Sequence, residues 1–165
     1  PPLHTQHRKL LQAHLTPAAV AALEPSVGRI VDEYLAGLLA SGRVDAVARF
    51  TDPVPARTVC ELIGLPPTDV PDVLRHTYAT GALLDGVTLV QDMGAAMTSA
   101  LEMAVFVQGR VDEALASPAE RRSGLLAVLA QGIDDGTISP ADVRAIMVVL
   151  VSAGSETMPD RMRIS

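Results

Sequence analysis

The chain has no tryptophan, two tyrosines and two phenylalanines among its 165 residues, so aromatic side chains make up only 2% of it. A nucleic-acid surface wants stacking rings on a basic face, and with a net charge of −6 neither is on offer. The single cysteine, Cys60, excludes an internal disulfide framework and a multi-cysteine zinc site. A reducing, cytoplasmic setting is the default expectation. Long apolar runs are also missing. Residues 145–151 are seven apolar residues in a row, against the roughly 18 that a membrane span requires, so no membrane partner is expected. No G-x-G-x-x-G or G-K-[ST] loop is present to cradle a phosphate, and the four histidines (4, 7, 14 and 76) form no evident nucleophile triad with Cys60. The N-terminus lacks the basic-then-apolar pattern of a signal peptide. It also lacks an initiator methionine and starts abruptly at Pro1-Pro2, as expected of a piece of a longer chain.

What is present is aliphatic. The apolar fraction is 48% and the mean hydropathy +0.30, values that fit a globular, helical protein and argue against disorder. The pattern predicts helices over residues 3–15, from Thr16-Pro17, from Pro25 to Ser41-Gly42, from Pro53 to Gly64, from Thr68-Asp69 to about Leu84, over 88–116, over 125–130 and from Ser139 onward. Val27, Ile30, Val31, Tyr34, Leu35, Leu38 and Leu39 repeat at helical spacing, which reads as a core-facing stripe. Met93, Met97, Leu101, Val105 and Phe106 do the same and read as gap-filling core. Residues 43–50 alternate weakly, as a short strand or an extended connector would. Cys60 falls in the apolar stripe of its helix, where a neutral thiol packs as a small hydrophobe. The expected fold is mainly α, a single domain over residues 1–165 with room for one short strand.

Three local patterns bear on chemistry. The segment DDGTISPAD looks superficially like a calcium loop, but with Gly136 at the sixth position the third falls on Ile133, which offers no oxygen. Ser139-Pro140-Ala141-Asp142 is better read as a helix start, with a serine cap, proline in the first turn and an acid near the positive end of the helix dipole. The helix that follows is apolar all round before it reaches Gly154, Glu156 and Thr157. A carboxylate and a hydroxyl there have a desolvation cost, and a glycine inside a helix costs about 1 kcal/mol relative to alanine. The glycine makes sense where another body approaches the backbone closely, and the acid and alcohol are able to relay protons. His4 and Arg8, four residues apart on the first helix, share a face and can converge on one anion, although the pattern also suits a solvated helix face.

Taken together, these segments resemble the cytochrome P450 haem-thiolate monooxygenases, specifically the soluble bacterial kind. PPLHTQHRKLLQAHLTP is similar to the family's helix C entrance, with its Pro-Pro-x-His-Thr-x-x-Arg pattern; VCELIGLP is similar to its helix E; DDGTIS followed by VSAGSET is similar to the approach to helix I and its oxygen-binding groove. The order and spacing match up to Thr157, which makes the chain a central segment running from helix C to helix I. The resemblance implies a b-type haem whose propionates are bound by His4 and Arg8. It places Ala153 and Gly154 against the haem, and Glu156 and Thr157 as the acid–alcohol pair delivering protons to dioxygen. It further implies a small organic substrate, with residues 70–89 over its pocket, and a ferredoxin or flavin-type redox partner. The departures are as informative. In the family the haem-ligating cysteine lies beyond helix I, after a Glu-x-x-Arg helix, and the chain ends before both, so the isolated chain is expected to be inactive. Cys60 lies in the helix E match and does not supply that ligand, so no metal ligand is assigned. Met158 stands where a second Thr or Ser is common, and Pro159 is expected to interrupt the helix, leaving 159–165 as an atypical tail. The competing expectation is a non-catalytic helical interaction module with P450-like packing and no cofactor.

Overall fold

The computed structural model describes the backbone of residues 2–40, 44–84 and 93–164, and side chains over 7–40, 44–78 and 93–152. Eight α-helices occupy these residues: α1 Pro2–Gln12, α2 Pro17–Ala21, α3 Glu24–Ala40, α4 Pro53–Ile63, α5 Val70–Leu84, α6 Met93–Ala116, α7 Gly124–Asp134 and α8 Pro140–Ile164. No strand occurs among the described residues. The mainly α expectation holds, and most helix starts fall where the caps place them. Thr16 caps α2 by accepting a hydrogen bond from the Ala19 N–H at 3.2 Å. Ser139 does the same for α8, accepting from the Asp142 N–H at 3.1 Å. The termini predicted at residues 41–42 and 85–86 lie outside the described residues.

Several expectations are corrected. Where the weak alternation over 43–50 suggested a strand or connector, residues Val47–Thr51 form a π-helical turn. The Asp45 carboxylate accepts from the Val47 N–H at 2.9 Å and the Ala48 N–H at 3.2 Å, so a local cap outweighs the alternation. At the other end, α8 runs through Pro159 to Ile164 where an interruption was predicted. Glu, Met and Arg around the proline are good helix formers and favour continuation. On α6 the stripe expected in the core is largely outside it: Met93, Met97, Leu101 and Val105 are 50%, 62%, 63% and 73% exposed. The helix instead buries Ala96, Met103, Val107 and Val111, with Phe106 half-buried beside them. Both faces of α6 are apolar, so periodicity identifies the helix without choosing its buried side. Helix α3 shows the same partial mismatch, since only Ile30 is buried and Leu39 is 85% exposed.

The centre of the molecule is α4, which contacts α3, α5, α7 and α8. Ala56, Cys60 and Ile63 are completely buried there, packed with Val73 of α5, Val107 and Val111 of α6, Leu129 of α7 and Val143, Met147 and Val151 of α8. Two prolines, Pro53 and Pro55, sit in the first turn of α4, where a missing N–H and a fixed φ cost nothing. At its other end the N–H groups of Gly64 and Leu65 both donate to the Cys60 carbonyl at 2.8 Å, with Gly64 in the left-handed region at φ 94° and Leu65 buried behind it. Gly64 then lies backbone to backbone against Gly124 at the start of α7 (φ 61°): a Cβ on Gly64 would run into the Ser123 carbonyl, and one on Gly124 into Ile63.

A buried polar array joins the start of α5 to α6. Asp69, 1% exposed, accepts from an Arg110 terminal nitrogen at 2.7 Å, and its other oxygen lies 2.6 Å from Arg110 Nε. That second contact is a close ion pair without hydrogen-bond alignment, which leaves Oδ2 without a formal donor. Burial pushes the Asp69 carboxyl up, and Arg110 pulls against it. The guanidinium lies 5.6 Å from the Phe106 ring centre, and Phe106 packs at 5.4 Å on the ring of buried His76. Burial, with Arg75 nearby, pushes the His76 imidazole below its ordinary value of 6.5, opposed by Asp72 and Glu102.

Two outcomes follow from this packing. Gly64→Ala combines left-handed strain with a backbone collision, so it should lower unfolding free energy by at least about 2 kcal/mol. A denaturation midpoint equal to that of the original chain would contradict the contact. For His76 the folded value lies below the unfolded one, so on acidification the unfolded chain takes up the proton first. The folded state therefore loses stability as pH falls from about 6.5 towards the lowered folded value. His76→Leu should flatten that slope, measured by denaturation between neutral and mildly acidic pH; a slope identical to that of the original chain would exclude His76 as its source.

Candidate functional site

α1 and α8 flank an open groove of about 320 Å³. His7, Arg8 and Leu11 form one side and Ala145, Ile146, Val149 and Leu150 the other. The register of α8 explains its contribution. Val143, Met147 and Val151 turn inward and are fully buried, which leaves Ala145 and Val149 on another face, with Val149 63% exposed. The run over 145–151 is therefore not buried all round, as its composition predicted: one face makes core and another is an apolar wall. Helix α1 is held beside it by Leu10 and Leu11, which pack against the core. Gly132 of α7 lies close under Leu10, and a Cβ there would meet the Leu10 side chain at 3.5 Å and Ile138 at 2.9 Å.

Of the residues singled out from the sequence, Arg8 is the one whose side chain the structure places at this groove. It is exposed, and its guanidinium enters no ion pair among the described residues. His4 stands one turn earlier in α1, and its side chain lies outside the described residues. Ala153, Gly154, Glu156 and Thr157 belong to the α8 backbone, and their side chains likewise lie outside the described residues. By register, Ala153 and Thr157 follow Val149 by one and two further steps of four. The structure thus brings Arg8 to an apolar face of α8.

The donor set suits a flat apolar group with an anionic edge, such as a porphyrin carrying propionates. The wall is aliphatic, and the cation at the rim, with no ion pair among the described residues, suits the bidentate pair that a carboxylate prefers. Cys60 is far from suited to metal ligation, because it is completely buried among Ala56, Ile63 and the α8 face. Burial, with Asp69 a smaller cause, pushes its thiol up to about 12, so it stays protonated and packs as the sequence pattern predicted. Among the described residues no group of three or more His, Cys, Asp or Glu is placed to hold a metal ion. No helix among them is long and apolar enough to cross a membrane.

Sequence reasoning missed two features. One is the approach of His7 Nε2 to Asp142 Oδ2, 3.8 Å apart, at one end of the groove. The adjacency of His7 to Arg8 was legible, but the pairing depends on how α1 crosses α8. The other is a larger cleft of about 530 Å³ between α3, the π-helical turn and α5, lined by Tyr34, Arg49, Val70 and Leu74 among others. Burial raises the Tyr34 hydroxyl there, with Arg57 opposing. No pattern in the sequence pointed to it.

No family model matches the chain. Individual proteins do. Cytochrome P450 144 of Mycobacterium tuberculosis is 28% identical over 156 residues, covering 94% of this chain and 35% of that protein. The 6-deoxyerythronolide B hydroxylase of Saccharopolyspora erythraea is 31% identical over 156 residues, covering 94% of this chain and 37% of its own length. Among solved structures, the mycinamicin VIII C21 methyl hydroxylase MycCI from Micromonospora griseorubida superposes with a TM-score of 0.83 at 25% identity, over 96% of this chain and 39% of that one. CalO2 gives 0.81 at 28% identity over 94% and 38%. The chain spans little more than a third of the length of the relatives it matches. With sequence and helical packing agreeing along nearly all of its residues, the chain belongs to the cytochrome P450 family.

Proposed function

We propose that the α1–α8 groove is part of the haem face of a cytochrome P450 monooxygenase, which inserts one oxygen atom from O2 into a small organic substrate. The observation that carries this reading is Arg8, a cation without an ion-pair partner among the described residues, at the rim of an aliphatic trough. In this reading Arg8 and His4 hold the haem propionates, Ala153 and Gly154 line the oxygen side, and Glu156 and Thr157 hold and pass protons there. Haem held by Arg8 and His4 would supply the redox chemistry. The polypeptide supplies the anion clamp, the dry wall and the acid–alcohol pair. Electrons would come from a ferredoxin or flavin-type partner, and α5 would help cover the substrate. Named substrates of the relatives belong to those proteins. A helical interaction module without cofactor is the second reading, favoured by the exposed stripe Met93, Met97, Leu101 and Val105 on α6.

Binding of haemin to the 165-residue chain separates the two. Under the haem reading it binds, and Arg8→Ala weakens binding by about tenfold, the loss of one charge-assisted pair. Absence of binding favours the module. With Cys60 protonated in the core, the reduced, CO-treated complex should lack the thiolate-type Soret band, and a clean band of that type would refute the placement of Cys60. In a complete P450 carrying this segment, Thr157→Ala should uncouple electron consumption from product formation; unchanged coupling would remove Thr157 from proton delivery.

A further inference from the structure

The contact between His7 and Asp142 is the one polar side-chain tie joining α1 to another helix among the described residues. Among the described residues, the other side chains that hold α1 there are aliphatic, Leu10 and Leu11. Apolar contacts are non-directional and leave a helix free to roll about its own axis. A small roll swings a guanidinium, at the end of a long side chain, through a much larger arc. Arg8 is the next residue after His7, so the orientation of α1 decides where its guanidinium points.

Asp142 is a fixed reference for that orientation. Its Oδ2 accepts from the Ser139 hydroxyl at 2.6 Å, and its own N–H donates to the Ser139 oxygen at 3.1 Å. The carboxylate is thus oriented by the cap of α8, at the favourable end of that helix's dipole. His7 Nε2 approaches the same Oδ2 at 3.8 Å, a separation of ion pairing rather than hydrogen bonding. The imidazole is 20% exposed, so the contact is partly withdrawn from water.

We infer that His7 is a positioning residue: by tying α1 to the capped first turn of α8, it sets the angle at which Arg8 addresses an anionic group lying on Ala145 and Val149. This rests on the haem reading of the groove, because the anion to be addressed is the propionate edge. His7 lines the groove beside Arg8, and the role assigned to it is to aim the Arg8 guanidinium.

The test uses the full 165-residue chain and iron-free protoporphyrin IX, compared with its dimethyl ester, with porphyrin fluorescence as the readout. The original chain should bind the diacid about tenfold more tightly than the ester, because the ester offers no carboxylate to Arg8. His7→Ala should leave ester affinity within about twofold and reduce the preference for the diacid to about threefold or less. His7→Lys, which keeps a cation near the same place, should restore most of the preference. A merely structural role would instead weaken both ligands together. If His7→Ala unfolds the chain, judged by circular dichroism, Asp142→Asn carries the test: it keeps an oxygen for the Ser139 cap, removes the charge, and should lose the preference in the same way. A tenfold preference retained in the folded His7→Ala or Asp142→Asn variant overturns the inference and leaves the haem reading standing. No porphyrin binding, or no preference, in the original chain overturns the haem reading and the inference with it.

Discussion

Gly64 and Gly124 touch through their backbones, and that contact fixes how α4 ends, how α7 begins and where both lie relative to the core. Both glycines are left-handed, and neither has space for a Cβ. Because the end of α4 and the start of α7 are pinned together, Cys60 and Ile63 are driven inward against Leu126 and Leu129, and α8 closes over them. Protein interiors tolerate little free volume, so a shift at this junction is transmitted along α4 to every helix packed on it. The position of α8, and therefore of the groove, depends on this junction.

The groove is a consequence of α8 serving two faces at once. One edge, Val143, Met147 and Val151, is committed to the core, and Ala145 and Val149 are left as an aliphatic wall. α1 then lies beside that wall on a thin apolar contact, with Arg8 at the rim and His7 reaching the cap of α8. A helix with one edge committed to the core carries the wall, and the neighbouring helix carries the cation.

Elsewhere polar groups stabilise the scaffold. Arg122, almost fully buried, donates to the Ser117 and Leu115 carbonyls at the end of α6 and pairs with Asp134 of α7 at 2.6 Å. It satisfies orphan carbonyls at a helix terminus and ties two helices together in one step. The Asp69–Arg110 pair does the equivalent at the start of α5, where the desolvation of Asp69 is offset by one hydrogen bond and a close ion pair to Arg110, with Phe106 beside the guanidinium.

The sequence by itself determined the helical class, most helix starts, the structural role of Cys60 and the family resemblance. These rest on local physics: caps such as Thr16 and Ser139, prolines in first turns, a glycine after the last turn of α4, and short motifs read in order. Only the tertiary structure decided which side of each helix is buried. On α6 the methionine stripe and the Met103–Val107–Val111 stripe are equally apolar, and the choice depends on what α5, α7 and α8 present to it. The same holds for the turn at Val47–Thr51, where one Asp45 carboxylate outweighed a weak alternation, and for the meeting of His7 with Asp142 across 135 positions of sequence. Local patterns reach about one helical turn along the chain; contacts between distant residues are set by packing, which no spacing within a single segment encodes.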